Sequence, residues 1–190
     1  MPTLERGDIS LHYEVTGSGP PLLMIAGFMS DHASWTPLVP LLSDHFTCIT
    51  PDNRTTGQTT PWEAPVSIDL MCKDALALMD HMCHDRYHVI GHSMGGIIAL
   101  HMAQEVPARM ASTHIAASAP VRLPRNTALF ATLIAIRRSD APEDTWLRAL
   151  FPWLFNPRAY NDPAAVDQAV ADSLAYPHGQ TADAMEHQLT

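Results

Sequence analysis

The chain has 190 residues, 46% of them hydrophobic, which is enough for one sizeable core and short for two domains. Its 20 acidic residues outnumber its 11 basic residues, giving a net charge of -9, and the basic residues form no run. This balance argues against nucleic acid or an anionic membrane as a partner, and it favours a small neutral or hydrophobic ligand.

The N-terminal residues and the cysteines bear on the cellular compartment. The first residues lack a basic region followed by an apolar core, and the longest apolar stretch, near 20–29, is too short to span a bilayer. Cys48, Cys72 and Cys83 are odd in number and form no Cys-x-x-Cys motif, which favours free thiols over a disulfide framework. We therefore expect a soluble cytoplasmic protein that does not bind membranes.

The first part of the chain is predicted to supply two strands and a short helix. Residues 9–16 alternate between polar and apolar, as in a half-buried strand, and the continuous apolar run 21–26 is typical of a central strand. Ser34 is the expected N-cap of a helix that begins at Trp35, and Pro40 should kink that helix.

A strand, a polar loop and a longer helix follow. Residues 46–50 are predicted as the strand and 51–66 as the loop. Ser67 is the expected N-cap of the helix, whose apolar residues recur at helical spacing, so the helix should lie on the sheet. These apolar residues are Ile68, Cys72, Ala75, Met79 and Met82.

Residues 86–100 combine strand-forming residues, a Gly-x-Ser-x-Gly turn and an apolar helical run. A nucleophile elbow requires this order of strand, turn and helix. In such an elbow Ser93 adopts a strained backbone conformation, and Gly91 and Gly95 lack the Cβ atoms that would clash as strand and helix close on each other. The alternative interpretation is an ordinary strand-to-helix turn.

Beyond the elbow, residues 110–117 are predicted as one more strand, and helical patterns broken by prolines follow from 120 onward. We therefore divide the chain into a core at 1–119 and a helical lid at 120–190. The lid carries large apolar side chains, which either cover a substrate pocket or pack the lid onto the sheet. They are Phe130, Trp146, Leu150, Phe151, Trp153, Leu154 and Phe155.

Three segments resemble the α/β-hydrolase family: the elbow at 91–96, the turn at 26–29 after a central strand, and the loop at 52–57 after the next one. The resemblance implies an α/β fold, with a mainly parallel sheet, helices on both faces and a helical lid. It also implies that Ser93 attacks a carbonyl carbon.

The same resemblance assigns the oxyanion hole and the remaining catalytic groups. The backbone NH groups of Phe28 and Met94 are expected to hold the oxyanion. A serine also needs a histidine and a carboxylate, which in this family follow on loops after later strands. We identify no such strands before Thr190. The chain is therefore expected to be truncated before the acid and the histidine, with the C-terminal strands missing.

The histidines of the chain are expected to serve other roles. We interpret His92 as a pocket-wall or packing residue, because an elbow directs it away from the neighbouring serine hydroxyl. His114 should pack in the core, and His178 and His187 should be solvated in the lid.

A group of possible metal ligands lies near the end of the long helix, but histidines at a helix C-terminus also interact favourably with the helix dipole. The group lacks the second paired half that a structural metal site needs, so we expect neither a metal nor a cofactor. Its members are His81, Cys83, His84, Asp85 and His88.

These arguments favour a serine hydrolase that cleaves a carboxylic ester or lactone with a hydrophobic acyl or ring-bearing part, through an acyl-enzyme at Ser93. Epoxide hydrolases and haloalkane dehalogenases resemble this fold but carry aspartate at the elbow, which argues against them. The alternatives are a carbon–carbon bond hydrolase or perhydrolase of the same fold, and a non-catalytic binding or interaction module.

The predicted strand at 110–117 carries a further expectation. It is largely apolar, uncharged and free of proline, so it lacks the features that protect natural edge strands from pairing. Without later strands it would be an edge. We therefore expect it to pair with a second chain or with a second copy.

Overall fold

The computed structural model of the protein describes residues 2–121 and 123–189. Within these residues the strands are β1 (Thr3–Arg6), β2 (Ile9–Thr16), β3 (Pro21–Ile25), β4 (Thr47–Pro51), β5 (Tyr87–His92) and β6 (Met110–Ala116). They form one sheet in the order β1-β2-β4-β3-β5-β6. The first two strands are antiparallel to their neighbours, and the other four run parallel to one another. The predicted mainly parallel sheet is confirmed.

The helices are α1 (Val39–Leu42), α2 (Ile68–His81), α3 (Met94–Glu105), α4 (Pro124–Arg137), α5 (Thr145–Leu154), α6 (Pro163–Ala175) and α7 (Ala182–Leu189). Short 3-10 turns lie at His32–Trp35, Pro107–Arg109 and Pro157–Asn161. In the parts of the chain that the structure describes, none of the helices combines the length and apolar character needed to cross a bilayer.

The alternation of side chains along β3 distributes the core over both faces of the sheet. Leu23 and Ile25 pack in a cluster with residues of α2 and α3. Leu22 and Met24 point to the opposite face, where they pack with Trp35. Since successive residues of a strand face opposite sides, the continuous apolar run of β3 is explained by a strand buried on both faces.

The segment after β3 differs from its prediction. A 3-10 turn begins after Asp31, whose carboxylate accepts a hydrogen bond from Ala33 N at 2.9 Å. The predicted cap at Ser34 is wrong, because its hydroxyl instead donates backward to the Asp31 carbonyl at 2.7 Å. The predicted kink at Pro40 is also wrong. This proline lies in the first turn of α1, where its missing NH has no helical acceptor to lose.

Strand β1 was missed by the prediction, whereas helix α2 was predicted correctly. Strand β1 was not predicted, and it pairs antiparallel with β2 at the edge of the sheet. The predicted cap of α2 is confirmed, because Ser67 Oγ accepts a hydrogen bond from Leu70 N at 3.1 Å. The buried face of this helix includes Cys72, Ala75 and Met79, as its spacing indicated.

The loop after β4 is tied to α2 by a buried ion pair. Arg54 is only 3% exposed, and its Nε donates to Asp74 Oδ2 at 2.5 Å. Its Nη1 donates to Asp8 Oδ2 at 2.7 Å. These contacts fix the loop at the carboxyl end of β4, close to the turn that follows β3.

Strand β6 hydrogen-bonds to β5 and is the last strand of the sheet order. Its side chains are half-buried or exposed, and Ile115 is 39% exposed. The predicted core position of His114 is wrong: this residue is exposed because it lies on an edge strand. Pairing of the 110–117 strand with a second chain or copy stays a prediction.

Helices α4, α5, α6 and α7 share a hydrophobic cluster of their own. Its centre includes Leu133, Trp146 and Met185, and the partly buried Phe28 and Met29 of the core pack against it. The helices thus lie against the turn that follows β3. The division into a core at 1–119 and a lid at 120–190 stays a prediction.

Candidate active site

Ser93 lies between the end of β5 and the start of α3, with φ of 52° and ψ of -119°. This left-handed conformation is costly for a residue with a side chain, and it persists only where the surroundings impose it. Here Ser93 N donates to the Ala116 carbonyl at 2.9 Å, while the Ser93 carbonyl accepts from Gly96 N at 2.9 Å and from Ser118 Oγ at 2.6 Å. Backbone bonds on both sides therefore hold the strained residue.

The glycines of the elbow allow an unusually close approach of strand and helix. A Cβ atom on Gly91 would collide with the carbonyl oxygen of Gly95, and one on Gly95 would collide with the carbonyl oxygen of Ile25. Both obstacles are backbone atoms, which cannot rotate away as a flexible side chain can. The predicted steric reason for Gly91 and Gly95 is confirmed.

The turn after β3 lies directly against the elbow. A Cβ atom on Gly27 would be 3.1 Å from Ser93 Cβ, so Phe28 follows immediately after a point of contact with the serine. Met94 is the first residue of α3, where a backbone NH has no acceptor within its own helix. Next to Phe28, Met29 N donates to Gln188 Oε1 of α7 at 3.1 Å. The assignment of the Phe28 and Met94 NH groups as oxyanion donors stays a prediction.

Ser93 lines a cavity of about 390 Å³ between the core and the C-terminal helices. From the core side, the wall includes Phe28 and His92. From the helices, the apolar wall is formed by Phe130, Trp146, Leu147, Leu150, Leu154 and Leu174.

The large apolar side chains after residue 120 divide into those that line the cavity, as predicted, and those that pack among the helices themselves rather than onto the sheet. Phe130 lines the cavity and packs against Phe28, with ring centroids 4.5 Å apart and the ring planes tilted by 54°. Phe151 is instead buried among the helices, and Trp153 is exposed. Part of the set therefore forms the cavity wall, and part of it packs the helices together.

The histidines near this cavity differ in environment. His92 is on the cavity wall, and desolvation there lowers its pKa. His178 also lines the cavity and is half-buried, with its ring 5.8 Å from that of Tyr176. His187 is half-buried, and its Nε2 donates to the Ala64 carbonyl at 2.8 Å. Both side chains are therefore only partly exposed to solvent, and His187 contacts the core through its hydrogen bond to Ala64.

A cluster of titratable groups beside the cavity was missed by the sequence analysis. His32 Nδ1 lies 2.7 Å from Asp52 Oδ1, and the Asp52 side chain is fully buried. Burial alone would lower the pKa of His32, but its hydrogen bond to Asp52 and the charge of that carboxylate raise the pKa above its usual value. Tyr176 OH donates to Asp31 Oδ2 at 2.8 Å, which links the same cluster to the C-terminal helices.

The ligand atoms of Asp31, His32 and Asp52 are close enough together to hold a cation. However, each carboxylate oxygen of this set already accepts a hydrogen bond. Asp31 accepts from Ala33 N and Tyr176 OH, while Asp52 accepts from His32 and from Gln58 N. We therefore interpret the cluster as a set of contacts that positions the turn after β3.

The chain is similar in sequence to several known hydrolases. A putative carbamate hydrolase RutD from Azorhizobium caulinodans is 34% identical over 115 residues, covering 60% of the chain and 43% of that protein. A soluble epoxide hydrolase from Corynebacterium sp. is 33% identical over 95 residues, covering 50% of the chain and 33% of that protein. The chain thus spans less than half the length of these relatives.

Solved structures show the same fold at lower identity. An α/β-hydrolase enzyme from a deep-sea metagenome library of the Medee basin superposes with a TM-score of 0.84 at 16% identity, covering 99% of the chain and 70% of that protein. The enol-lactonase from Burkholderia xenovorans gives a TM-score of 0.78 at 22% identity, covering 99% and 72%. A family model described as the alpha/beta hydrolase fold matches residues 20–185. The chain belongs to the α/β-hydrolase family.

Proposed function

We propose that the protein is a serine hydrolase that cleaves a small carboxylic ester or lactone with a hydrophobic acyl or ring-bearing part. This proposal rests on the position of Ser93, which is held in a strained elbow and lines a cavity with a mainly apolar wall. Such a cavity suits the apolar part of a substrate, while the elbow presents a hydroxyl to its carbonyl carbon.

In the proposed reaction, Ser93 Oγ attacks the carbonyl carbon and its proton passes to a general base. The developing oxyanion lies between the backbone NH groups of Phe28 and Met94, which donate hydrogen bonds to it. Collapse of this intermediate breaks the bond to the alkoxide oxygen, which takes up a proton and leaves an acyl-enzyme. Water then attacks the acyl carbon, releases the acid and returns the proton to Ser93.

The general base and its carboxylate are not assigned to residues of this chain. In this family the histidine and the carboxylate lie on loops that follow strands after the elbow strand. We propose that full turnover depends on a histidine and a carboxylate on such loops. The RutD relative, named as a putative carbamate hydrolase, makes carbamates worth including beside esters and lactones in a substrate panel. A serine at the elbow continues to argue against epoxide hydrolysis.

Labelling with a fluorophosphonate probe, followed by mass spectrometry of the modified peptide, tests the nucleophile. We expect the label on Ser93 and its loss in Ser93→Ala. The matched control is Ser173→Ala, because Ser173 is another serine on the cavity wall and its hydroxyl donates to the Ala169 carbonyl. Ester or lactone turnover that survives unchanged in Ser93→Ala would contradict the proposal.

A further inference from the structure

Arg137, the last residue of α4, lies on the wall of the same cavity as Ser93. Its Nη1 donates to the Gln180 carbonyl at 2.5 Å and lies 3.0 Å from Met185 Sδ. Its guanidinium carbon is 4.6 Å from the centre of the Trp146 ring, in a cation–π arrangement. The side chain is therefore half-buried and fixed in position by the surrounding helices.

Arg137 differs from three other arginines of the chain in having no carboxylate as an ion-pair partner among the described residues. Arg54, Arg138 and Arg148 each form ion pairs with two carboxylates. Among the described residues, Arg137 forms no ion pair, and both of its hydrogen bonds use the single nitrogen Nη1. Partial burial lowers the pKa of Arg137, and the charge of Glu143 only opposes this shift without forming an ion pair.

A partly buried cation that lacks an ion-pair partner is less favourable than a paired one, and a bound anion would supply that partner. A guanidinium can bind a carboxylate through two parallel N–H···O bonds, and stacking on an aromatic ring fixes its plane. The hydrogen bonds of Arg137 among the described residues use Nη1, so its Nε and Nη2 groups can donate this pair of hydrogen bonds to a carboxylate. The Trp146 ring supplies the stacking surface.

We propose that Arg137 binds a carboxylate of the substrate. The proposal rests on the function proposed above and narrows it to esters or lactones that carry a free carboxylate away from the reacting carbonyl. The contacting rings of Phe28 and Phe130 line the same cavity as Arg137 and Ser93, and they suit an apolar segment between the two polar ends of the substrate.

Other charged groups on the cavity wall affect this site. Glu143 is exposed, and its charge acts on Arg137 without forming an ion pair. Asp31 already accepts hydrogen bonds from Tyr176 OH and Ala33 N, which reduces its availability to a ligand. His178 lies on the same wall. Glu143 is therefore the anion that competes for Arg137, and Glu143→Gln should tighten carboxylate binding.

Equilibrium binding to the Ser93→Ala protein tests the site without any need for turnover. The probes are hexanoate and its uncharged amide, hexanamide, followed by titration calorimetry. We expect hexanoate to bind about tenfold more tightly or better, since a hydrogen bond to a charged partner is worth more than one between neutral groups. Arg137→Gln should abolish this preference, and the matched control Arg138→Gln should retain it. Arg138 lies next in the chain but pairs with Asp183 and Glu186 on the exposed surface.

A second measurement leaves the arginine intact and so does not depend on how the variant folds. Phenylglyoxal modifies arginine side chains, and mass spectrometry locates the adducts. Hexanoate should slow modification of Arg137 at least about twofold under conditions of half-saturation or more, hexanamide should not, and Arg138 should react equally with either probe. Equal affinity for both probes, a preference that survives in Arg137→Gln, or protection by hexanamide overturns the proposal. Absence of hydrolysis at Ser93 alone would overturn the proposed function and leave this binding result standing.

Discussion

The Ser118 hydroxyl donates a hydrogen bond to the Ser93 carbonyl at 2.6 Å, joining the segment after β6 to the elbow. The same carbonyl also accepts from Gly96 N, so the peptide group that follows the candidate nucleophile is held from two sides. This peptide group carries the Met94 NH, one of the proposed oxyanion donors. The position of that donor therefore depends on a residue that does not line the cavity.

Replacement of Ser118 by alanine tests this dependence. We expect Ser118→Ala to lower the free energy of unfolding by about 1 kcal/mol, because one partly buried hydrogen bond is lost. It should also lower kcat more than it raises KM, since the oxyanion donor loses part of its support. Urea unfolding and steady-state kinetics measure both effects. An unchanged kcat in a destabilised variant would show that Ser118 supports the fold alone.

Phe28→Ala separates the side chain of Phe28 from its backbone NH. We expect KM to rise, because the ring packs against Phe130 at the cavity wall, while kcat changes little. Loss of an oxyanion donor costs roughly a hundredfold to a thousandfold in kcat, and the alanine variant keeps that donor. Phe130→Ala removes the same ring contact and serves as the control. A hundredfold loss of kcat in Phe28→Ala alone would contradict a purely backbone role.

Gly95→Ala tests the close approach of α3 to β3. The added methyl group would meet the carbonyl oxygens of Ile25 and Ala26, so we expect a loss of about 3 kcal/mol or failure to fold. Gly179→Ala is the control, because its Cβ would lie 3.3 Å from the Tyr176 carbonyl oxygen, an obstacle from one side only. Chemical denaturation compares the two, and similar stabilities would contradict the steric argument.

Arg54→Ala tests the buried ion pair between the loop after β4 and α2. It leaves Asp74 buried without its cation, so we expect the free energy of unfolding to fall by about 3–5 kcal/mol. Lys73→Ala, which removes the exposed pair with Asp69 one turn away, should leave the stability nearly unchanged. Urea unfolding of both variants gives the comparison, and equal effects would show that burial does not decide the outcome.

The His32–Asp52 pair predicts a pH dependence of stability. Because the pKa of His32 is raised in the folded protein, its protonated form is stabilised, and that contribution is fully present below the ordinary histidine value of about 6.5. The contribution is lost as the pH rises through the raised pKa. Replacement of His32 by glutamine should therefore lower the free energy of unfolding more at pH 5 than at pH 8. The linkage relation sets the difference from the rise in the pKa of His32.

His12 requires a control in that experiment. Burial lowers the pKa of His12, and its ring centroid is 5.1 Å from that of His32, so it titrates in the opposite sense and interacts with its neighbour. The His32→Gln comparison is therefore made in a His12→Gln background, by denaturant unfolding across the pH range. A cost of His32→Gln that is equal at both ends of the range would contradict the raised pKa.

The parts of the fold that could be predicted are those where local pattern and tertiary environment agree. Strand β3 is apolar throughout because both of its faces are buried, and α2 carries both a capping serine and an apolar stripe. Strand β1 was missed because its four residues are too few to show a period. The cap after β3 was misassigned because Asp31 and Ser34 are both capping residue types, and only the direction of their hydrogen bonds separates them.

The candidate site divides in the same way. Ser93 was predictable because the elbow needs small residues at fixed spacing around it. Arg137 was not, because a sequence does not show which arginines find carboxylates: the adjacent Arg138 has two and Arg137 has none among the described residues. The His32–Asp52 contact likewise joins residues 20 positions apart, which only the folded chain brings together.

Two buried amide side chains attach helix α7 and the segment just before it to the core, Gln188 from within the helix and Gln180 from that preceding segment. Gln188 accepts from Met29 N and donates to the Arg54 carbonyl, while Gln180 donates to the Thr55 carbonyl. A movement of all the C-terminal helices away from the core would break these hydrogen bonds. Each buried polar group left without a partner would cost about 1–3 kcal/mol. In α6, by contrast, Val170 is the one buried residue among those described. We therefore expect substrate to enter and product to leave the cavity beside α6, while α7 stays attached to the core.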